Sequence, residues 1–253
     1  MKSSENHISV IFFDLGFTLI NFDGDFQTTM TESYIALTRS LLNSGCEFEE
    51  TDFVNKYQEI ITEYYQNREI DLIERPIEEV LLKALNFFQQ GPIPDEALNK
   101  AIADMYRVTE SHWKIEPDTH ETLSQLKSKG FRLGLISNAS NSPDLNRLID
   151  SHDLRKYFEC IVISAEESIR KPDRRIFKIA FDRMRINPQN AIMVGDTLNA
   201  DIYGAQQAGM RAIWISRRAQ RPDNINVNEW ILPDWTINDL ASLLSLVDVS
   251  SRE

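Results

Sequence analysis

From residue 118 onward, short apolar strands alternate with amphipathic helices, and no other feature narrows the possible fold so far. Asp118 and Glu121 make a capping-box-like start, since carboxylates there accept orphan backbone N–H groups of a first helical turn. A helix over 119–129 stops at Gly130, and the run 131–136 (FRLGLI) is apolar enough for a central strand. The rhythm then repeats as helix 143–151, strand 158–163, helix 172–184, strand 191–194, helix 198–208 and strand 211–215. A short strand at 230–232 and a helix over 237–247 are expected to finish it. Strands joined through helices run parallel, in a sheet covered on both faces. The opening run 8–13 (ISVIFF), β-branched and aromatic, reads as a buried strand of the same sheet.

Residues 25–113 carry a helical pattern and almost no strand signal. Helices are expected over 26–42, 51–66, 77–90 and 94–113, with Gly45, Gly91, Pro76 and Pro94 as boundary marks. The expected fold is therefore α/β: a Rossmann-like parallel-sheet core, residues 1–20 and 116–253, carrying an inserted α-helical block of four helices over 21–115. The crossings near 20–25 and 114–118 are candidate hinges. At 253 residues the chain is long for one compact core, which agrees with two units.

With 27 basic and 39 acidic residues the net charge is -12. That speaks against nucleic acid or an anionic membrane as a partner, since both need a basic footprint. Small anionic substrates stay open, because a metal or lysine inverts the field inside one cleft. Cys46 and Cys160 lie far apart, offer neither zinc spacing nor a disulfide framework, and fit a reducing compartment. The first apolar run is broken by Asp14, too early for a signal-peptide core or a membrane span, so a cytoplasmic location is expected. His7, His112, His120 and His152 show no ligand spacing and read as packing or surface residues.

Ligands of a parallel sheet gather beyond the C-terminal ends of its strands. Those positions hold Asp14, Ser137 with Asn138, Ser164, and Asp196 with Asp201 shortly after it, while Lys171 begins the helix after the Ser164 loop. Any one of these alone is usually a turn or helix cap. Together they put three carboxylates, a lysine and small hydroxyls on one edge. Clustered carboxylates repel unless a cation holds them, and hard oxygens with room for water suit magnesium. The lysine is a point charge for a phosphate or a nucleophilic carboxylate. Such a set suits phosphoryl transfer with a carboxylate attacking phosphorus.

The stretches FFDLGFTL, LISNAS, RKPDRRIF and VGDTLNAD resemble, in order, the four motifs of the haloacid dehalogenase-like hydrolases. The helical block sits where that family carries a cap. The resemblance implies a magnesium-dependent phosphatase acting on a small phosphorylated metabolite through an aspartyl-phosphate. On this reading Asp14 is the nucleophile, Thr18 and Ser137 orient and bind the transferred group, and Lys171 holds phosphate and Asp14 together. Asn138 donates its backbone N–H to the phosphate. Asp14, Asp196, Asp201 and the backbone carbonyl of Gly16 hold Mg2+.

Gly16 is the departure. Phosphatases of the family commonly carry a second aspartate there, which protonates the leaving group and then activates water; glycine does neither. Two alternatives follow: a 2-haloacid dehalogenase, using the same nucleophile on carbon without a metal, and a catalytically impaired binding protein of the same fold. A Schiff-base reaction needs a cap lysine, and Lys56, Lys83 and Lys100 read as helix-surface residues. Arg68 and Arg75 fall in a cap loop as candidates for reading the non-phosphate part of the substrate.

Overall fold

The computed structural model describes residues 8–225 and 230–250, so His7 lies outside the described residues. Strand β1 (Val10–Phe13) leads to β2 (Ile20–Phe22), then to helices α1 (Phe26–Asn43), α2 (Glu50–Asp71), α3 (Ile77–Phe87) and α4 (Asp95–Glu110), and to β3 (Trp113–Ile115). Next come α5 (Thr119–Ser128), β4 (Arg132–Ser137), α6 (Ser142–Ser151), β5 (Cys160–Ile163), α7 (Ser164–Glu167) and α8 (Arg174–Met184). The chain finishes through β6 (Ala191–Gly195), a wide helical turn Leu198–Tyr203, α9 (Gly204–Gln207), β7 (Arg211–Ile215), α10 (Pro222–Ile225), β8 (Trp235–Ile237) and α11 (Ala241–Ser250).

The main sheet has six strands in the order β5-β4-β1-β6-β7-β8, and every pairing in it is parallel. Strand β1 lies in the middle, with Phe13 in register with Leu135 of β4 and Val194 of β6. The strand order reverses around β1, the place where open parallel sheets form their ligand crevice. All four β1 residues are buried. Ile11 and Phe13 join an apolar cluster with Leu123, Leu148 and Leu243 on one face. Val10 and Phe12 join Phe177 and Phe181 on the other. Burial on both faces explains the uninterrupted apolar run, where a half-exposed strand would alternate.

Helices α1 to α4 build a third apolar cluster of their own, with Tyr34, Leu37, Phe53, Tyr57, Leu81 and Met105 at its centre. The two crossings between this block and the sheet are paired: β2 and β3 run antiparallel with Ile20 opposite Ile115 and Phe22 opposite Trp113. The sequence pattern did not announce this ribbon, because three-residue strands are too short to show alternation. The strand expected at 230–232 is instead irregular, and the edge strand forms at Trp235–Ile237. The last helix accordingly begins at Ala241 rather than 237. The helix expected over 198–208 opens as a wide turn, in which the Ile202 N–H reaches back to the Thr197 carbonyl at 3.4 Å. Among the described residues no helix is long and apolar enough to cross a membrane.

Candidate active site

Asp14 stands directly after β1, its backbone N–H donating to the Val194 carbonyl at 3.0 Å, which fixes it against the end of β6. The loop then turns through Phe17 in the left-handed region (φ 61) and is closed by Leu19 and Ile20 N–H groups on the Leu15 carbonyl. Thr18 is fully buried under this turn, and its Oγ1 has no hydrogen-bond partner. Strand β4 delivers Ser137, 3% exposed, and β6 delivers Asp196, also 3% exposed.

Lys171 ties the edge together. Its Nζ donates to Asp14 Oδ1 at 2.7 Å, to Asp201 Oδ1 at 2.6 Å and to the Ile136 carbonyl at 2.8 Å. All three donor positions of the ammonium are therefore used in a site where it is 2% exposed. Asn138 holds the lysine's own backbone from both sides: Asn138 Nδ2 donates to the Lys171 carbonyl at 3.0 Å, and the Lys171 N–H donates to Asn138 Oδ1 at 2.9 Å. The side chain of Asn138 thus positions Lys171, a role its place at a strand end did not reveal.

Asp201 comes from the wide turn after β6, and its Oδ2 also accepts from the Thr197 N–H at 3.0 Å. Gly195 makes this approach possible. A Cβ on residue 195 would lie 2.3 Å from Asp201 Cγ, so any other side chain would evict the carboxylate. Asn224 clamps the same turn, donating to the Asp196 carbonyl at 3.0 Å and accepting from the Leu198 N–H at 2.9 Å.

Oxygens of Asp14, Asp196 and Asp201 lie within 4.8 Å of one another, all buried. Burial pushes the Asp14 carboxyl up to about 6; Lys171 opposes that rise and Asp201 adds to it. Asp196 is driven well above the ordinary carboxylate range by burial and then by Asp14 and Asp201. Burial works against the charge of Lys171 too, but Asp14 and Asp201 outweigh it and its pKa rises. Lys171 and the more distant Arg221 face three carboxylates, which leaves the cluster short of positive charge. Asp196 Oδ2 is buried without a hydrogen-bond partner, and the Arg221 Nε is 3.6 Å away. An orphaned hard oxygen beside two further carboxylates fits an octahedral divalent cation such as magnesium.

A cavity of about 730 Å³ opens in front of these residues. Its walls include Gly16, Phe17, Trp113, Tyr65, Arg68, Arg170 and Asp144. Gly16 is not in the left-handed region, and a Cβ on it would meet the Trp113 indole at 3.5 Å, an ordinary contact. Its lack of a side chain is therefore not forced by the backbone.

Other sequence candidates part company. Ser164 Oγ turns away from the cavity, donating to Glu74 Oε2 at 3.0 Å and accepting from the Ala139 N–H at 2.8 Å. Arg68 lines the cavity, whereas Arg75 pairs with Asp71 and borders a separate, smaller one. Lys56, Lys83 and Lys100 do not line the main cavity. His112 stacks on Phe22 and His120 sits beside Tyr157. Arg170, Asn224 and Arg221 escaped sequence reasoning. For Arg170 the signal was its place directly before Lys171; Asn224 and Arg221 lie in a polar loop that carries no pattern.

The family model of the haloacid dehalogenase-like hydrolases matches residues 8–209. A glyceraldehyde 3-phosphate phosphatase of Methanopyrus kandleri is 32% identical over 214 residues, 83% of this chain and 85% of that one. The pyrimidine 5'-nucleotidase YjjG of Escherichia coli is 29% identical over 244 residues, 94% of this chain and 96% of its own. Among solved structures, a 2-haloacid dehalogenase from Pseudomonas syringae superposes with a TM-score of 0.67 at 28% identity, covering 96% of this chain and 99% of that one.

Proposed function

The chain belongs to the haloacid dehalogenase-like hydrolases, and on that premise we propose that it is a magnesium-dependent phosphatase of a small phosphorylated metabolite, working through an aspartyl-phosphate on Asp14. The observation that carries this reading is the buried Asp14–Lys171 pair inside a trio of carboxylates. The names of its phosphatase relatives support the reaction class.

In the first step a carboxylate oxygen of Asp14 attacks phosphorus and the ester P–O bond breaks. Lys171, already on Asp14 Oδ1, keeps the nucleophile ionised and aligned and balances charge as phosphate approaches. Thr18, whose buried hydroxyl has no other partner, and Ser137 bind and orient the transferred group, with the Asn138 backbone N–H as a further donor. Gly16 supplies no acid, so the leaving oxygen takes its proton from water. In the second step water attacks phosphorus, freeing phosphate and restoring the carboxylate. Asp14, Asp196, Asp201 and the Gly16 carbonyl would hold magnesium, which supplies charge neutralisation for the phosphate and the carboxylates.

Residues 21–115 act in this reading as a cap over a core formed by 1–20 and 116–253. Its closure excludes water during chemistry. A net charge of -12 supports a small-molecule partner over nucleic acid or a membrane, in a cytoplasmic setting. The dehalogenase reading uses the same carboxylate on carbon, but leaves the orphaned Asp196 oxygen without a purpose. Purified protein should hydrolyse an aryl phosphate with magnesium and release no chloride from 2-haloacids. Turnover should vanish with EDTA and fall at least about 10³-fold in Asp14→Asn. Activity that survives either treatment refutes the mechanism, and saturable binding without turnover would mark a binding protein.

A further inference from the structure

Three charged side chains, Arg68, Glu69 and Arg170, line the cavity, and the buried Glu74 pairs with both arginines. Arg68 extends from α2 and Arg170 from the residue before Lys171; both line the cavity. Arg170 is only 7% exposed. Glu74, fully buried, is a satisfied partner: it accepts from Ser140 Oγ, Ser164 Oγ and Arg68 Nη1, the last at 3.1 Å. Arg170 Nε stands 3.6 Å from it, too far for a hydrogen bond. Arg68 Nε and both Arg170 Nε and Nη1 are buried with no well-formed hydrogen bond. Burial and the like charge of Arg68 hold the Arg170 guanidinium below its usual range.

The two arginines face two carboxylates, and Glu69 is the exposed one. Glu69 Oε1 lies 2.8 Å from Arg170 Nη1 and 3.9 Å from Arg68 Nε, while the Glu69 side chain is 57% exposed. Arg68 Nε, Arg170 Nε and Arg170 Nη1 thus keep donor capacity without a well-formed hydrogen bond, and around one half-exposed carboxylate they form a site suited to a carboxylate. A latch between the helices and the core accounts for Glu74, Ser140 and Ser164. It does not account for guanidinium N–H groups without a well-formed hydrogen bond, nor for an exposed carboxylate bridging both arginines.

We propose that Arg68 and Arg170 form a subsite for a carboxylate on the leaving group, with Glu69 occupying that place until substrate displaces it. The inference rests on the phosphatase reading and names its substrate class: phosphomonoesters of small hydroxy acids. Because Arg170 and Lys171 line the same cavity, the carboxylate is read in the cavity that receives the ester.

The test compares 3-phosphoglycerate with glycerol 3-phosphate, which differ only in a carboxylate against a hydroxymethyl group. The acid should show kcat/KM about 10- to 100-fold higher, the scale of a charge-assisted contact. In Arg170→Met the ratio should collapse toward one; in Glu69→Gln the KM of the acid should fall while that of the neutral ester stays put. A wild-type ratio near one, or variants that shift both esters equally, overturns the subsite. If aryl phosphate is not turned over either, the phosphatase reading fails instead. Calorimetric titration of both esters into Asp14→Asn protein then reads the subsite alone: tenfold tighter binding of the acid supports it, and equal binding overturns it.

Discussion

On the proposed mechanism, Gly16 leaves the departing oxygen without an acid from this position. Its backbone does not require glycine, and a Cβ there meets Trp113 at a normal distance, so a side chain is not barred at its first atom. General acid catalysis is typically worth ~10²–10⁴-fold, most for poor leaving groups. Gly16→Asp should therefore raise kcat for alkyl phosphates toward that of aryl phosphates, by at least about tenfold, and add a basic limb to the pH–rate profile. Equal rates before and after the change would leave the missing acid irrelevant to this site. The residues at this scale divide by how local their signal is. Asp14 and Asp196 were legible because each directly follows a strand end, and Lys171 and Asp201 because they lie in the connections leaving such ends, which parallel topology brings together. Arg170 and Asn224 were not, since their partners Glu69 and Leu198 are chosen by packing across loops. Asn138 has a second role that its strand-end position did not announce: its side chain holds the backbone of Lys171.

Among elements, the central strands were legible and the connections were not. Continuous apolar runs such as Val10–Phe13 and Ala191–Gly195 admit few alternatives, and the four helices of the block begin within a residue or so of their expected starts. The β2–β3 ribbon and β8 are three residues each, too short to carry a period. The segment between α2 and α3 showed only charges in sequence, yet Glu74 from it is buried against Ser140 and Ser164 of the core. Burial would raise the Glu74 carboxyl, but Arg68, Arg170 and its hydrogen bonds hold it below the usual 4.5. A depressed folded-state pKa means its stabilisation is complete above about 4.5 and is lost as pH falls through the lower folded value. Breaking a buried ion pair costs roughly 3–5 kcal/mol. Glu74→Gln should thus melt several degrees lower than the parent at pH 7, and the gap should narrow as the pH drops below 4.5. A gap that stays constant with pH would show that Glu74 is held by shape and not by charge.

At the scale of the whole molecule, the apolar clusters do not mix. The cluster of the helical block draws only on residues between Tyr34 and Met105, while the two clusters flanking the sheet draw none from that span. What joins the two parts is polar: Glu74 with its serines, Arg68 on Ser140 at 2.8 Å, and the Ile77 N–H on the Ser140 carbonyl at 3.1 Å. Polar contacts, unlike a shared apolar core, can be exchanged for water when two parts separate, which suits the closure proposed for the cap. The antiparallel pairing of Phe22 with Trp113 also brings the two crossings side by side, about 5 Å apart, so a short linker can replace residues 23–112. We expect that excised core to fold cooperatively, because it keeps both clusters of its sheet, and to bind magnesium through the unchanged Asp14, Asp196 and Asp201. It should still turn over an aryl phosphate, more slowly because the site is open to water, and should lose discrimination between acid and neutral esters along with Arg68 and Glu69. Thermal melting with a kcat/KM ratio for the two esters measures both. A core that fails to fold would mean the helical block contributes to the stability of the sheet as well as to the selection of its substrate.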